Sequence, residues 1–283
     1  MPQPIGWGLL ALALGAPGPA AAQLRPGADA QLASSYVFRG VTRTNGYVLQ
    51  PDAYVAYWQK DVGWLTAGVW GNLELERSGA RDITDRPDGT RGLGEWDAWA
   101  QLTHALGPLD LTAGWAGYFR RASLVAGPSD RYDTHEVYAA IQARETYLSP
   151  RFSAWWDLSR IGGVYLESSV SVPLMGSFRG PFWAFYFTAT AGLDLGQSVE
   201  RRHPLRPANF AEDGFTHLDL GADVRLPQLS RGWVSTQIEG HLQLNRDPYT
   251  KRHSRAAGDD DNFATWWFGV SLSLPNHRAE DGP

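Results

Sequence analysis

Residues 215–226 read FTHLDLGADVRL, from Phe215 to Leu226. Leu218, Leu220, Ala222, Val224 and Leu226 share one parity, while His217, Asp219, Asp223 and Arg225 share the other. Side chains of a strand alternate between its two faces, so this segment has one greasy and one wet side. A helix would place the acids on the apolar stripe, so the period of two decides the reading.

The same pattern recurs along the chain. Over 233–244, Val234, Ile238, Leu242 and Leu244 oppose Gln237, Glu239, His241 and Gln243. Over 163–174, Val164, Leu166, Val170 and Val172 oppose Glu167, Ser169 and Ser171. Near the end, Trp266, Phe268, Val270, Leu272 and Leu274 oppose Trp267, Gly269, Ser271 and Ser273. The signal predicts about twelve strands, near 30–40, 48–58, 63–76, 95–106, 109–120, 134–144, 150–158, 163–174, 182–195, 214–226, 232–245 and 262–274, most of a length that spans a bilayer when tilted.

The connections sharpen this. Those at 59–62, 107–108, 145–149 and 227–231 are short, whereas 77–94, 121–133, 196–213 and 246–261 are long and rich in Gly, Pro, Asp and Arg. Short and long mostly alternate, the rhythm of a membrane barrel with tight periplasmic turns and longer extracellular loops. A soluble sandwich gives no reason for it. Two connections on the long-loop side, near 41–47 and 159–162, are nevertheless short. A strand in lipid tolerates no unpaired edge, so the expected fold is all-β, a closed antiparallel transmembrane β-barrel over 23–274.

Composition agrees. Aromatics make up 12 % of 283 residues, with 13 tryptophans and 31 glycines, yet mean hydropathy is −0.32. A net charge of −5 argues against nucleic acid as a partner. Cysteine is absent, which excludes disulfides, thiolate chemistry and cysteine-ligated zinc. The apolar run IGWGLLALAL at 5–14, followed by Ala20-Ala21-Ala22, reads as an export signal over 1–22, although Met1–Pro4 carries no Lys or Arg. Residues 275–283 read as a periplasmic tail. Tyr57, Trp58, Trp64, Trp96, Trp183, Trp233 and Trp266 lie near strand ends, where aromatic girdles form. By parity, Trp64, Trp70, Trp99 and Trp155 point inward.

One segment resists simple assignment. Residues 33–46, ASSYVFRGVTRTNG, set Arg39 between Phe38 and Gly40. With Tyr36 and Phe38 facing lipid, Arg39 takes the opposite parity, enters the lumen and requires an acidic neighbour. Ser35, Tyr36, Phe38, Arg39, Gly40 and Thr42, with Gln50, Gly68, Trp70 and Asn72 downstream, match a motif series: (D/S)YxFRGx(S/T), then QxxxxY, then GxWx(S/N)N. Across roughly 33–76 the chain resembles the TorF-like, or Gcw-type, porins of Gram-negative outer membranes. That resemblance implies an outer-membrane barrel. The chain departs from the usual barrel ending, finishing LSLPNHRAEDGP rather than on an aromatic strand residue.

Parity assigns to the lumen Asp52, Glu74, Glu76, Asp97, Asp110, Glu136, Asp157, Glu167, Asp194, Asp219, Asp223 and Glu239, against Arg39, Arg120, Arg144 and Arg225, with His217 and His241 near neutral. An acid-rich interior favours cations. The expected role is a porin passing small neutral or cationic solutes, lined by Arg39, Asp52, Glu74, Asp97, Glu136, Asp157, Glu167, Asp219, Asp223, Arg225 and Glu239. The alternative is a plugged barrel whose interior charges form closed networks and which acts by recognition. Loop cations Arg201, Arg202 and Arg206, and Lys251, Arg252 and Arg255, could then contact lipopolysaccharide phosphates. A lipid-modifying enzyme is the third reading. Neither the His217 group nor the His241 group has an obvious nucleophilic partner, and neither Gly-x-Ser-x-Gly nor His-Glu-x-x-His occurs, so no enzyme activity is expected. His217 with Asp219 and Asp223, and His241 with Glu239, could in principle bind a metal. They are read as wall networks, and no cofactor or metal is expected. Outer-membrane lipids are the expected surroundings.

Overall fold

In a computed structural model of the chain, the described residues are 24–76, 92–123, 127–144, 146–175, 184–198, 208–226, 234–248 and 264–274. The expected signal (1–22), the tail (275–283), Trp183, Trp233 and the loop cations lie outside them, as do the side chains of 120–131.

The strands are β1 (Leu24–Ala33), a short pair β2 (Tyr36–Phe38) and β3 (Val41–Thr44), then β4 (Val48–Gln59), β5 (Gly63–Glu74), β6 (Gly92–Leu106), β7 (Leu109–Ser123), β8 (Gly127–Ala143), β9 (Arg151–Asp157), β10 (Val164–Met175), β11 (Ala184–Leu195), β12 (Gly214–Leu226), β13 (Ser235–Asn245) and β14 (Ala264–Ser273). Twelve of them pair antiparallel, each with the next, and β1 closes the ring between β4 and β14. No helix among the described residues is long and apolar enough to cross a membrane; strands make the wall.

The wall is two-sided, as alternation requires. Leu65, Val69, Phe152, Trp156, Ile238, Leu242, Trp266, Phe268, Val270 and Leu272 are exposed on the outside. Buried groups face in, so the core lies inside the ring. Twelve strands enclose more space than the wall side chains of a small barrel fill, and less than a wide porin channel. Here the extra space is taken by chain.

That chain is the segment first read as the end of strand 30–40. β1 stops at Ala33, and 34–47 turns into the barrel as the β2–β3 hairpin. Tyr36 and Phe38 therefore do not face lipid. Tyr36 is buried against Trp70, with ring centroids 5.4 Å apart, and Phe38 meets Tyr118 edge-on at 5.7 Å. Every residue of β3 is buried. The reversal is made by Arg39 (φ 51°) and Gly40 (φ 85°), between paired Phe38 and Val41. Two positive φ values in a two-residue loop are the signature of a type I′ turn, usually written Asn-Gly. The unusual Arg-Gly form hides the turn inside an apparently continuous alternation.

Two further expectations change. The stretch 121–133 was read as a long loop, yet the β7–β8 ladder continues through Arg121–Tyr132 and Ala122–Arg131. Backbone pairing carries these strands past the rim despite their polar composition. Trp58 and Trp64 form no girdle: their rings meet at a tilt of 49°, with centroids 5.3 Å apart, and Trp64 is buried, as its inward parity implied.

The other short connection, at 158–163, is held by Asp157. Its Oδ1 accepts from the amides of Ser159 (2.9 Å), Ile161 (3.1 Å) and Gly162 (2.8 Å), and the Thr134 hydroxyl donates to its other oxygen. A carboxylate satisfying three amides of one connection makes a tight turn possible.

Candidate functional site: the hairpin and the lumen wall

The hairpin reaches strands all around the ring. Arg39 lies at its tip, where φ > 0 is unfavourable for a side chain with a Cβ. Its guanidinium compensates by donating Nη1–H to Glu136 Oε1 at 2.7 Å and Nη2–H to Oε2 at 2.6 Å. The pair is nearly sealed from solvent, with side-chain exposures of 5 % and 0 %. The Tyr118 hydroxyl donates to the same carboxylate at 2.9 Å. The rings of Phe38, Trp155 and Tyr165 lie 4.8, 5.1 and 4.5 Å from the guanidinium carbon, so aromatic faces supply the rest of its environment. The bidentate geometry suits arginine and not lysine.

Other contacts fix the hairpin from the far side. Gln243 donates from its side-chain amide to the Gly40 carbonyl at 2.6 Å. A Cβ on Gly40 would sit 2.6 Å from His217 Nδ1 and 2.7 Å from Cγ, so the close approach, as well as the positive φ, requires glycine. Arg43, buried in β3, donates to Asn209 Oδ1 at 3.1 Å. Asn209 belongs to the β11–β12 connection, whose Phe210 packs in a cluster with Val41 and Tyr165. The amides of Ala211 and Glu212 are anchored by Asp247 Oδ2. Hairpin and connection thus pack against each other inside the ring.

The motif residues come together here. Gln50 donates to Asn72 at 3.1 Å, and Trp70 packs at a tilt against Tyr36. The three motif pieces thus form one hairpin and the wall that receives it.

Of the other expected lumen residues, most point inward but not to one place. Asp157 and Asp194 serve as turn caps near the same rim, Asp194 accepting from the Gln197 amide at 3.0 Å. Glu74 is buried beside Gly94, and Asp97 lies across from Trp70. Asp52 accepts from the Trp99 indole at 3.4 Å, and Glu167 from the Tyr165 hydroxyl at 3.4 Å. Asp110 pairs with Arg144 at 2.8 Å next to the 107–108 turn. Arg225 is exposed at the end of β12, over the Tyr186 ring at 5.5 Å, and Glu76 is exposed beyond β5.

Asp219, Asp223, Glu239 and His241 form a second group on the adjoining β12–β13 wall. Asp219 lies 2.7 Å from His241 Nδ1, and Gln31 donates to Glu239. Several working residues escaped the sequence reading. Gln31 and Gln243 carry inward parity but no charge, and Glu95 is a fully buried inward acid at the first position of the strand expected over 95–106. Arg43 lay in what looked like a loop.

No family model matches this chain, and no curated protein matches it. Among solved structures it is similar to the outer-membrane expressed OmpT of Vibrio cholerae (TM-score 0.36, 10 % identity, 89 % of this chain and 97 % of that one). It is also similar to an anion-selective porin from Comamonas acidovorans (TM-score 0.33, 10 % identity, 89 % and 98 %). Both likenesses are loose, and the fold stands on this chain's own strand pairing.

Proposed function

We propose that this chain is an outer-membrane porin of the TorF-like type, passing small neutral or cationic solutes through a lumen narrowed by the 34–47 hairpin. The observation that carries the reading is the hairpin itself, docked by Arg39 on Glu136 inside a ring whose wall is rich in carboxylates. A barrel built only to stand in a membrane needs no separate element across its interior, whereas a conduit needs a constriction that sets size and charge. Asp52, Glu167, Asp219, Asp223 and Glu239 would attract cations along the wall, by a force that weakens with salt. The outward apolar band fits a bilayer, and the closed ring fits an outer membrane.

The test is twofold. Proteoliposomes should swell with small sugars, and planar bilayers holding the protein under a potassium chloride gradient should give a cation-selective reversal potential. Selectivity for chloride would contradict the acidic pathway.

A second reading has its own support. The Arg39–Glu136 pair is dry and fully bonded, as in a permanent plug, and a plugged barrel would act by recognition through its loops, lipopolysaccharide being the expected ligand. No swelling with any solute, together with electrical silence, favours it. We also propose that the chain is not an enzyme. Among the described residues no serine hydroxyl bonds a histidine ring; the hydroxyl nearest this role belongs to Thr216, 3.0 Å from His217 Nδ1. Detectable release of fatty acid from labelled phospholipid would overturn that.

A further inference from the structure

We propose that Asp223, Glu239 and His241 form a binding site for a divalent transition-metal ion, of which Zn²⁺ is the type, on the inner wall of the barrel. The site follows from register. Gly221 pairs directly with His241, so the imidazole lies over a position without a side chain, and a Cβ there would stand 2.8 Å from His241 Cε1. Asp219 and Asp223 flank that glycine on the same face, two residues to either side, and therefore flank the ring. Gly269, paired with Glu239, leaves room in the same way: a Cβ there would meet Glu239 Oε1 at 2.7 Å.

The ring is oriented as a ligand would be. Its Nδ1 is 2.7 Å from Asp219 Oδ1, so it carries the proton and donates. In the neutral ring, the form that binds a metal, that leaves the lone pair on Nε2, the arrangement by which a carboxylate fixes a metal-binding histidine. Trp267 stacks flat on the imidazole, with centroids 4.0 Å apart and planes 2° apart, and holds its plane. Glu239 is oriented by Gln31.

What points to a cation is the other end. His241 Nε2 is buried without a hydrogen-bond partner, and so is Asp223 Oδ1; Asp223 as a whole is 8 % exposed. These two atoms face each other at 3.9 Å, too far apart for a hydrogen bond and, with the ring neutral, two lone pairs aimed at one point. One ligand atom from each of Asp223, Glu239 and His241 lies within 4.8 Å of the others. Bonds of about 2.0–2.2 Å at tetrahedral angles bring ligand atoms to about 3.4 Å, so the 3.9 Å pair must close by about half an ångström and the widest separation by up to about 1.4 Å, within the reach of side-chain rotation, with the fourth position left to water. Among the described residues, Asp219, Asp223 and Glu239 form no ion pair with an arginine or lysine. Three carboxylates around one imidazole carry more negative charge than a protonated ring alone neutralises, and the buried oxygen of Asp223 is shielded from water. A nitrogen ligand beside carboxylates favours zinc and its first-row neighbours over magnesium.

The proposal does not depend on solute passage. Its test uses the full-length mature barrel, without a histidine tag, refolded in detergent and stripped with EDTA. Calorimetric titration with Zn²⁺ alone should give one ion per barrel, and an excess of Mg²⁺ should leave the affinity unchanged. His241→Gln and the near-isosteric Asp223→Asn should each weaken binding at least about tenfold, and Asp219→Asn about 10–100-fold through the ring's orientation. Co²⁺ in place of Zn²⁺ should show visible absorption bands of a low-coordinate site, altered in Asp219→Asn and lost in Asp223→Asn. Heat-modifiable migration on gels identifies variants that retain the folded barrel. No stoichiometric Zn²⁺ uptake by the unaltered barrel would overturn the site. So would uptake unchanged in folded Asp223→Asn and His241→Gln, or a Co²⁺ spectrum indifferent to both.

Discussion

At the scale of the residue, Arg39 and Glu136 show what a buried pair requires. Each is held by two bonds from the other, and each would be left uncompensated if its partner were removed. Breaking a buried pair from one side costs about 3–5 kcal/mol, whereas replacing both partners by apolar groups of similar volume is often neutral. Arg39→Met or Glu136→Met alone should therefore lower the stability of the detergent-folded barrel, or free the hairpin locally, by about that amount. The double variant Arg39→Met/Glu136→Met should recover most of the loss. Denaturant titration followed by tryptophan fluorescence measures both, and simple additivity would contradict a direct pair. Gly40→Ala should also undock the hairpin, since a methyl group meets the His217 ring and the backbone is left-handed there. Protease cleavage within 34–47, absent in the parent barrel, is the readout. The need of Arg39 for an acidic neighbour could be read from its type and surroundings; which acid could not, because Glu136 is 97 residues away and meets it only through ring closure.

At the scale of the element, parity was the legible quantity. Alternation located most wall strands to within a few residues, although β1 lies six or seven residues earlier than expected and β8 begins seven earlier, and it gave Glu167, Asp219, Asp223 and Glu239 the inward parity, because a strand leaves no third direction for a side chain. Val270 and Ser271 in β14 give a clean test. Val270→Arg, toward lipid, should cost about 2–4 kcal/mol near mid-wall, while Ser271→Arg, toward the lumen, should cost little. Urea unfolding from lipid vesicles compares them, and equal costs would contradict the assigned faces. The 34–47 segment was misread for a physical reason. Tyr36, Phe38 and their neighbours alternate as a wall strand does, and nothing local distinguishes lipid from an aromatic-lined interior as the solvent for a greasy face. The clue available was the short outer connection near 41–47, which is explained once the chain turns inward rather than crossing the rim. Loss of the glycine spacing on the inner wall is a further element-scale test: Gly221→Ala should displace the His241 ring from between Asp219 and Asp223, and abolish any zinc uptake there.

At the scale of the whole molecule, the barrel inverts the usual order of a folded chain: apolar side chains outward, and a packed polar and aromatic interior gathered on one short hairpin. Twelve strands were expected and twelve close the ring, but the contents of the ring depended on long-range contacts that no local pattern records. Cation preference should be strongest at low ionic strength and fall as salt rises. Neutralising Asp219, Asp223 and Glu239 together should reduce it. The most direct test of the central claim is single-channel conductance in planar bilayers for the parent barrel and for one in which residues 35–46 are replaced by a short Gly-Ser linker. The account predicts small, cation-selective steps from the parent and steps several-fold larger from the shortened chain. Equal conductance in the two, with both folded, would contradict the hairpin as the constriction.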